Sequence, residues 1–181
     1  MSALYRAWYL FQEYVVGYVA AVVFLAATVF ACSEFLTRYL IGHTFHWGQD
    51  AVTHGIVGAV FLYFGASQAK RSHLTVTILP DWLRARGSRR AAYAVRALAA
   101  LVVVIFCALF VYFGYPGAER TWRTGRLTES MVIPLWPFQY ALVIGMGMLA
   151  ITAFFQFYQE MMRVFGREVY AWDNQDEEFE L

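Results

Sequence analysis

The order of apolar and charged positions divides the chain into four long segments. Four windows contain no Asp, Glu, Lys or Arg: 14–33, 51–69, 97–118 and 130–159. The windows are continuously apolar and do not alternate, which excludes a β-barrel. A helix needs about 20 residues to cross a bilayer core roughly 30 Å thick. The pattern therefore predicts an all-α integral membrane protein with four transmembrane helices.

The helix bounds follow from the prolines and the nearest charges. Pro134 and Pro137 lie early in the last window, and proline suits the start of a helix better than its interior. We expect helices at about 14–37, 50–70, 92–116 and 137–161. They would form a single domain over residues 1–165, followed by an acidic cytoplasmic tail over residues 166–181.

Composition supports a membrane protein. Hydrophobic residues make up 60% of the chain and charged residues 15%, whereas a soluble domain is close to half apolar and a quarter charged. A large soluble core is excluded because the apolar runs have no polar faces to cover it. The two cysteines, Cys32 and Cys107, lie in different segments and are expected to be buried small hydrophobic residues.

The basic residues predict the orientation. With both termini in the cytoplasm (N-in/C-in), ten Lys and Arg residues lie inside and four lie outside, as the positive-inside rule favours. Most of the ten belong to the loop Lys70–Arg90, whose segment Pro80–Arg90 is expected to form an amphipathic turn on the inner surface. Five tryptophans are expected to act as interfacial anchors at span ends: Trp8, Trp47, Trp82, Trp136 and Trp172.

Glu34 is the one acid that could enter a span. Unpaired, it would favour a proton-coupled exporter. Arg38 follows four residues later on the same helical face, near the helix end, so a structural ion pair is favoured. We expect Arg38 to be held by Glu34, with Asp50 as a second candidate partner.

The histidines raise the alternative of haem or a metal. His54 lacks a second imidazole at the same depth in a span, and His43 with His46 supplies only two ligands. No phosphate-binding loop, nucleophile–base arrangement or catalytic carboxylate pair is visible. We therefore predict no cofactor and no enzymatic activity.

The second predicted helix carries a stripe of mostly small residues at steps of three and four. Such a stripe lets another helix approach closely, either from a partner subunit or from this chain. Gly145 and Gly147 form a weaker version in the last helix, and the polar side chains within the spans are expected to form helix–helix hydrogen bonds or to bond back to their own helix. These features favour a scaffold over a transport pathway. The stripe consists of Ala51, Gly55, Gly58, Leu62, Gly65 and Ala69.

Several motifs between Glu34 and Gly147 resemble the small membrane subunit of tripartite ATP-independent periplasmic (TRAP) transporters, the DctQ-type or Q component. They are Thr37-Arg38-Tyr39-Leu40, Trp47-Gly48-Gln49-Asp50, Phe64 to His73, the run Leu74–Leu79, and Ile133-Pro134-Leu135-Trp136. The chain departs from the family pattern at Asp50, where Glu is commoner, and at Thr77, where an acid is frequent. The resemblance and the helix-two stripe together give these candidate structural or interface residues: Glu34, Arg38, Tyr39, Trp47, Asp50, Gly55, Gly58, Gly65, Arg71, His73 and Pro134.

The resemblance implies a function that the residues alone do not give. Such a subunit binds a large permease subunit in the bacterial inner membrane and works with a periplasmic solute-binding protein. The transporter imports an organic anion, such as a dicarboxylate or a sugar acid, driven by sodium. The small subunit would be a scaffold that stabilises the large one, and the substrate stays open. The alternative from another class is a membrane anchor of a redox complex, with haem on His54 or His73.

Overall fold

The structure, a computed structural model, describes residues 2–69, 82–83 and 86–166. Apart from one β-bridge between Leu127 and Pro134, the regular elements of these residues are helical. The predicted acidic tail and most of the loop Lys70–Arg90, with its amphipathic turn, lie outside the described residues. The elements are α1 (Ser2–Leu10), a π-helical segment (Phe11–Val16), α2 (Gly17–Leu36), a second π-helical segment (Thr37–Ile41), α3 (Gly48–Ala69), α4 (Arg89–Thr124) and α5 (Trp136–Val164).

The run from α1 to the second π-helical segment is one continuous helix, called here the first helix. It begins at Ser2, well before the predicted position 14, because the charged Arg6 and Glu13 interrupt the apolar pattern but not the helix. Its buried positions Gln12, Val16 and Ala20 are four residues apart. An α-helix has 3.6 residues per turn, so the wider π turn helps to keep such positions on one face.

Three of the four predicted transmembrane helices have both the length and the apolar content to cross a membrane. Among the described residues, three helical segments are long and apolar enough to cross a membrane: Leu4–Ile41, Arg90–Thr124 and Trp136–Val164. Helix α3 has 22 residues, or about 33 Å, so its length would suffice. It falls short because Asp50 and His54 lie near one end and Gln68 near the other, with glycines between them.

Helix α5 is the central element of the bundle. It packs against α4 and α3, and α3 in turn packs against α2. The most apolar part of α5 is 39% buried within the chain, compared with 11% for α4, so α4 lies at the edge. The buried core between α4 and α5 consists of Cys107, Met146 and Leu149.

Helices α3 and α5 approach most closely at Gly145. A Cβ added there would lie 2.4 Å from the carbonyl oxygen of Phe61, which is far inside van der Waals contact. Only a glycine permits this backbone-to-backbone approach. The neighbouring Gly147 has far more room, since its added Cβ would lie 3.9 Å from Val111 Cγ2.

The small-residue stripe of α3 faces other helices of this same chain. An added Cβ on Gly55 would contact Ala27 of α2, and one on Gly58 would contact Ala141 of α5. Gly58 and Gly65 are both buried within the chain, so of the two alternatives the one that fits them is packing against helices of this chain.

Helix α4 continues beyond its predicted end near residue 116. Its last two turns are supported by the ion pair of Glu119 with Arg123, and the Thr121 and Thr124 hydroxyls donate to carbonyls four residues back. Gly125 then ends the helix in the left-handed conformation, with φ of 61°.

Candidate functional site

Asp50 joins α3 to the loop between α4 and α5. Its Oδ2 accepts a hydrogen bond of 2.8 Å from the backbone N–H of Ser130. Asp50 lies in the first turn of α3, outside the three candidate spans. Hydrogen bonds from Ser130 and Thr128 lower the pKa of its carboxyl from the usual value, so the group is an anion at neutral pH.

The loop that Asp50 holds is a hairpin, residues 125–135. Leu127 pairs with Pro134, and the Met131 N–H closes a turn on the Thr128 carbonyl at 2.9 Å. Met131 has φ of 57°, a left-handed conformation that is uncommon outside glycine, and its side chain is exposed. We call this end of the bundle the hairpin end. The opposite end, where the start of the first helix meets the second half of α5, is called the seam end.

A polar cavity of about 450 Å³ opens at the hairpin end. It combines two carboxylates with two imidazoles, and the carboxylate of Asp50 is already bonded to Ser130. In the described residues, no group of three or more His, Cys, Asp or Glu has the geometry to hold a metal ion. The cavity is lined by His46, Gln49, Asp50, Thr53, His54, Glu129 and Ser130.

Glu34 and Arg38 form the predicted ion pair near the end of the first helix. Asp50 bonds Ser130 instead of Arg38, so the second candidate partner is wrong. The Glu34 side chain lies against Gly48, the first residue of α3, where an added Cβ would come within 3.0 Å of Glu34 Cγ. Trp47 stacks on Phe30, with ring centroids 5.4 Å apart. These contacts fasten the first helix to the start of α3.

His54 is engaged within the protein. Its Nδ1 lies 2.8 Å from the Asp50 carbonyl oxygen, and its ring packs against Phe138 with centroids 5.0 Å apart. Of the two cysteines, Cys107 is buried as expected. Cys32 is exposed on α2, contrary to the expectation, because that face of α2 contacts no other helix of the chain described.

Side-chain hydrogen bonds cross the bundle at the seam end. Trp8 Nε1–H donates to Thr152 Oγ1 at 3.1 Å, and Thr152 Oγ1–H donates to Gln12 Oε1 at 3.0 Å. Gln12 and Thr152 are fully buried. Trp8, predicted as an interfacial anchor, is thus a helix–helix contact. We call Trp8, Gln12, Gln68, Thr152 and Gln156 the polar seam.

The remaining members of the polar seam tie α3 to α5. Gln68 Nε2 donates to Gln156 Oε1, and Gln156 Nε2 donates to the Gln68 carbonyl, both at 2.7 Å. One turn further along α5, Arg163 and Glu160 form a buried ion pair with atoms 3.3 Å apart. The expectation that polar side chains in the spans form helix–helix hydrogen bonds is confirmed for the seam.

The family of the chain follows from a comparison with protein-family models. The model described as tripartite ATP-independent periplasmic transporters, DctQ component, matches residues 25–163. The chain belongs to this family. No curated protein and no solved structure shows a match. The family confirms the resemblance drawn from the motifs: this DctQ chain is the small permease subunit of a TRAP transporter, and its family is a transporter component.

The motif residues of this DctQ chain are spread over its hairpin end and its bundle core. Glu34, Arg38, Trp47 and Asp50 lie near the start of α3, and Tyr39 is exposed on the first helix. Pro134 lies in the hairpin, whereas Gly55, Gly58 and Gly65 are inside the bundle. Arg71 and His73 lie outside the described residues.

The sequence analysis did not predict the pairing of the DctQ chain's first and last helices at the seam end. A signal was present in α5, where Thr152, Gln156, Gln159 and Arg163 recur at steps of three and four and mark one polar face. Trp8 and Gln12 have the same spacing of four in the first helix.

Proposed function

We propose that this DctQ-family chain is a static scaffold that binds and stabilises the large permease subunit and carries no substrate itself. The observation that supports this is the polar seam. Carrying an anion with sodium requires free polar ligands or unwound backbone near mid-membrane. Gln12 is bonded to Thr152 and Gln68 to Gln156 across the bundle, and the helices that carry them are continuous there.

The complete transporter would import an organic anion, of dicarboxylate or sugar-acid type, with a sodium gradient. The family description names a tripartite periplasmic system. We propose that the other two parts are the large permease subunit and a soluble solute-binding protein, and that this chain lies in the bacterial inner membrane.

We also propose that α3 crosses the membrane, although its own apolar content is marginal. It is packed along its length between α2 and α5, and its Gln68 is bonded to Gln156. Helices without enough apolar surface can be held in a membrane by such neighbours. With α3 crossing, both termini lie in the cytoplasm, as the Lys and Arg distribution predicts.

Cysteine labelling in sealed cells tests this topology. A membrane-impermeant probe should react with a cysteine at Thr124, at the hairpin end, and not with one at Ser88. The reverse pattern would contradict the orientation. Reaction at both positions would contradict the crossing of α4.

Among the residues that the structure describes, no observation favours the redox-anchor alternative. One of its two candidate ligands, His54, is bonded to the Asp50 carbonyl and packed on Phe138. The exporter alternative is weakened in the same way, since Glu34 is paired with Arg38. A visible absorption spectrum of the purified protein discriminates between scaffold and redox anchor, because haem absorbs strongly.

Co-purification and uptake in cells test the scaffold function. A tagged chain, extracted in mild detergent, should carry the large subunit with it in constant ratio. Cells lacking this chain should lose sodium-dependent uptake and regain it on complementation. Undiminished uptake without the chain would refute the proposal.

A further inference from the structure

The first helix carries an exposed apolar surface that is longer than a membrane is thick. Large side chains that face away from the bundle recur from Tyr14 to Ile41. At 1.5 Å per residue this surface is about 40 Å long, compared with roughly 30 Å for the hydrocarbon core. Along it lie Tyr18, Val22, Leu25, Val29, Phe35 and Leu40, all exposed.

At the hairpin end this surface continues past the start of α3. Phe30 stacks on Trp47, and Glu34 contacts Gly48, so the first helix passes the start of α3 at about residue 34. Residues Phe35–Ile41, which we call the prong, continue for about 10 Å beyond it. Gly42 ends the prong in the left-handed conformation, with φ of 74°.

The prong is apolar and electrically neutral. Tyr39, Leu40 and Ile41 are 70%, 78% and 75% exposed. The single charged residue of the prong, Arg38, is paired with Glu34 one turn below. Exposed apolar surface of this kind marks an interaction site.

Helix α4 offers a comparison, because its exposed apolar face fits a bilayer. That face runs from Leu98 to Tyr115, about 27 Å, and includes Val102, Phe106 and Leu109. Lipid alone can cover this length. Around a first helix that stands along the membrane normal, lipid would leave about 10 Å of this apolar surface uncovered.

We propose that the exposed face of α2 and the prong together form the docking surface for an integral membrane partner whose own apolar surface continues beyond the bilayer at the hairpin end. The exposed face of α2 and the prong form one continuous surface, and this continuity supports a membrane partner. A soluble protein would contact only the prong, and lipid would contact only the part of the surface within the bilayer. This assignment rests on the proposed function, in which that partner is the large permease subunit.

Photo-crosslinking in membranes that contain the whole transporter tests the docking surface. A photoreactive side chain is placed at Leu40 of the prong and, as a control, at Leu109 of α4, which is 51% exposed. The Leu40 probe should crosslink to the large subunit, and the Leu109 probe should label lipid. Labelling from Leu40 of lipid, of a second copy of this chain or of the soluble binding protein alone would overturn the proposal.

Charge substitutions give a second readout. Leu40→Glu should reduce the co-purified large subunit at least tenfold, and Leu40→Ser should reduce it less. Leu40 is 78% exposed, so the thermal stability of the isolated chain should not change. The control is Met131→Glu, also 78% exposed at the hairpin end, which should keep the wild-type ratio.

A wild-type ratio of co-purified large subunit for Leu40→Glu, or an equal loss for Met131→Glu, would overturn the proposed docking surface. Failure of the unsubstituted chain to bind the large subunit would instead refute the proposed function.

Discussion

The two ends of the bundle are held together by different kinds of contact. At the seam end, buried side-chain hydrogen bonds join the first helix to α5 through Gln12 and Thr152, and α3 to α5 through Gln68 and Gln156. At the hairpin end, the first helix reaches only the start of α3, by ring stacking on Trp47 and the approach of Glu34 to Gly48. The first helix is thus fixed to the central helix at one end and diverges from it towards the other.

This difference separates internal stability from partner binding. Hydrogen bonds between helices in a membrane each contribute about 0.6 kcal/mol, and up to about 1.7, so the bonds of the seam end stabilise the chain internally. The hairpin end has the more exposed first helix and the prong. A scaffold needs both properties, namely a rigid inner connection and a free face for its partner.

Breaking the α3–α5 contact, on which both ends depend, should have the largest effect. Gly145→Ala would place a Cβ 2.4 Å from the Phe61 carbonyl oxygen, so the two backbones must move apart. Overpacking of this kind costs about 1–3 kcal/mol, and we expect the upper part of that range. The free energy of unfolding in detergent measures this loss. Gly147→Ala is the control, because its added Cβ would lie 3.9 Å from Val111 Cγ2. Equal stability of the two variants would contradict the close approach.

Breaking the seam end alone should have a moderate effect. Thr152→Val keeps the shape but removes the hydrogen bonds to Gln12 and Trp8, so we expect a loss of about 0.6–1.7 kcal/mol. A double-mutant cycle with Gln12→Leu should show coupling of similar size. Thr28→Val is the control, because the Thr28 hydroxyl bonds only back to Phe24 of its own helix. If the stability losses of the two single variants simply add in the double variant, Gln12 and Thr152 do not stabilise the chain through their mutual contact.

Two glycines of α3 sharpen the comparison between the seam end and the rest of the bundle. An added Cβ on Gly65 would lie 3.1 Å from Gln12 Nε2 and 3.3 Å from Met148 Cβ, whereas one on Gly58 would lie 3.8 Å from Ala141 Cβ. Both alanines gain the same helix propensity, up to about 1 kcal/mol. Gly58→Ala should therefore be neutral or stabilising, and Gly65→Ala should be the less stable of the two in a thermal melt. The opposite order would show that the seam end tolerates added volume.

The smallest effect on stability is expected at the hairpin end. Arg38→Ala removes a partly exposed i,i+4 pair with Glu34, and such pairs are worth about 0.3–0.5 kcal/mol. The isolated chain should melt almost as the unsubstituted one does. A loss comparable to that of Thr152→Val would mean that the hairpin end is held as firmly as the seam end.

The sequence predicted the helices better than their partners. Charge-free windows located the helices because a bilayer requires apolar length, and the spacing of Glu34 and Arg38 predicted an ion pair that local geometry alone decides. The glycine stripe of α3 was read correctly as a close contact, but spacing cannot tell which helix makes it. The seam was not predicted as a set, because Gln12 and Thr152 are 140 residues apart and meet only in the folded bundle.

Reconstitution in proteoliposomes tests the central claim, that this chain is a scaffold, most directly. Vesicles with this chain alone, the large subunit alone or both receive solute-binding protein, an organic anion and a sodium gradient. The account predicts uptake only when both subunits are present. Uptake by this chain alone would contradict the scaffold function, and full uptake by the large subunit alone would show that transport does not need it.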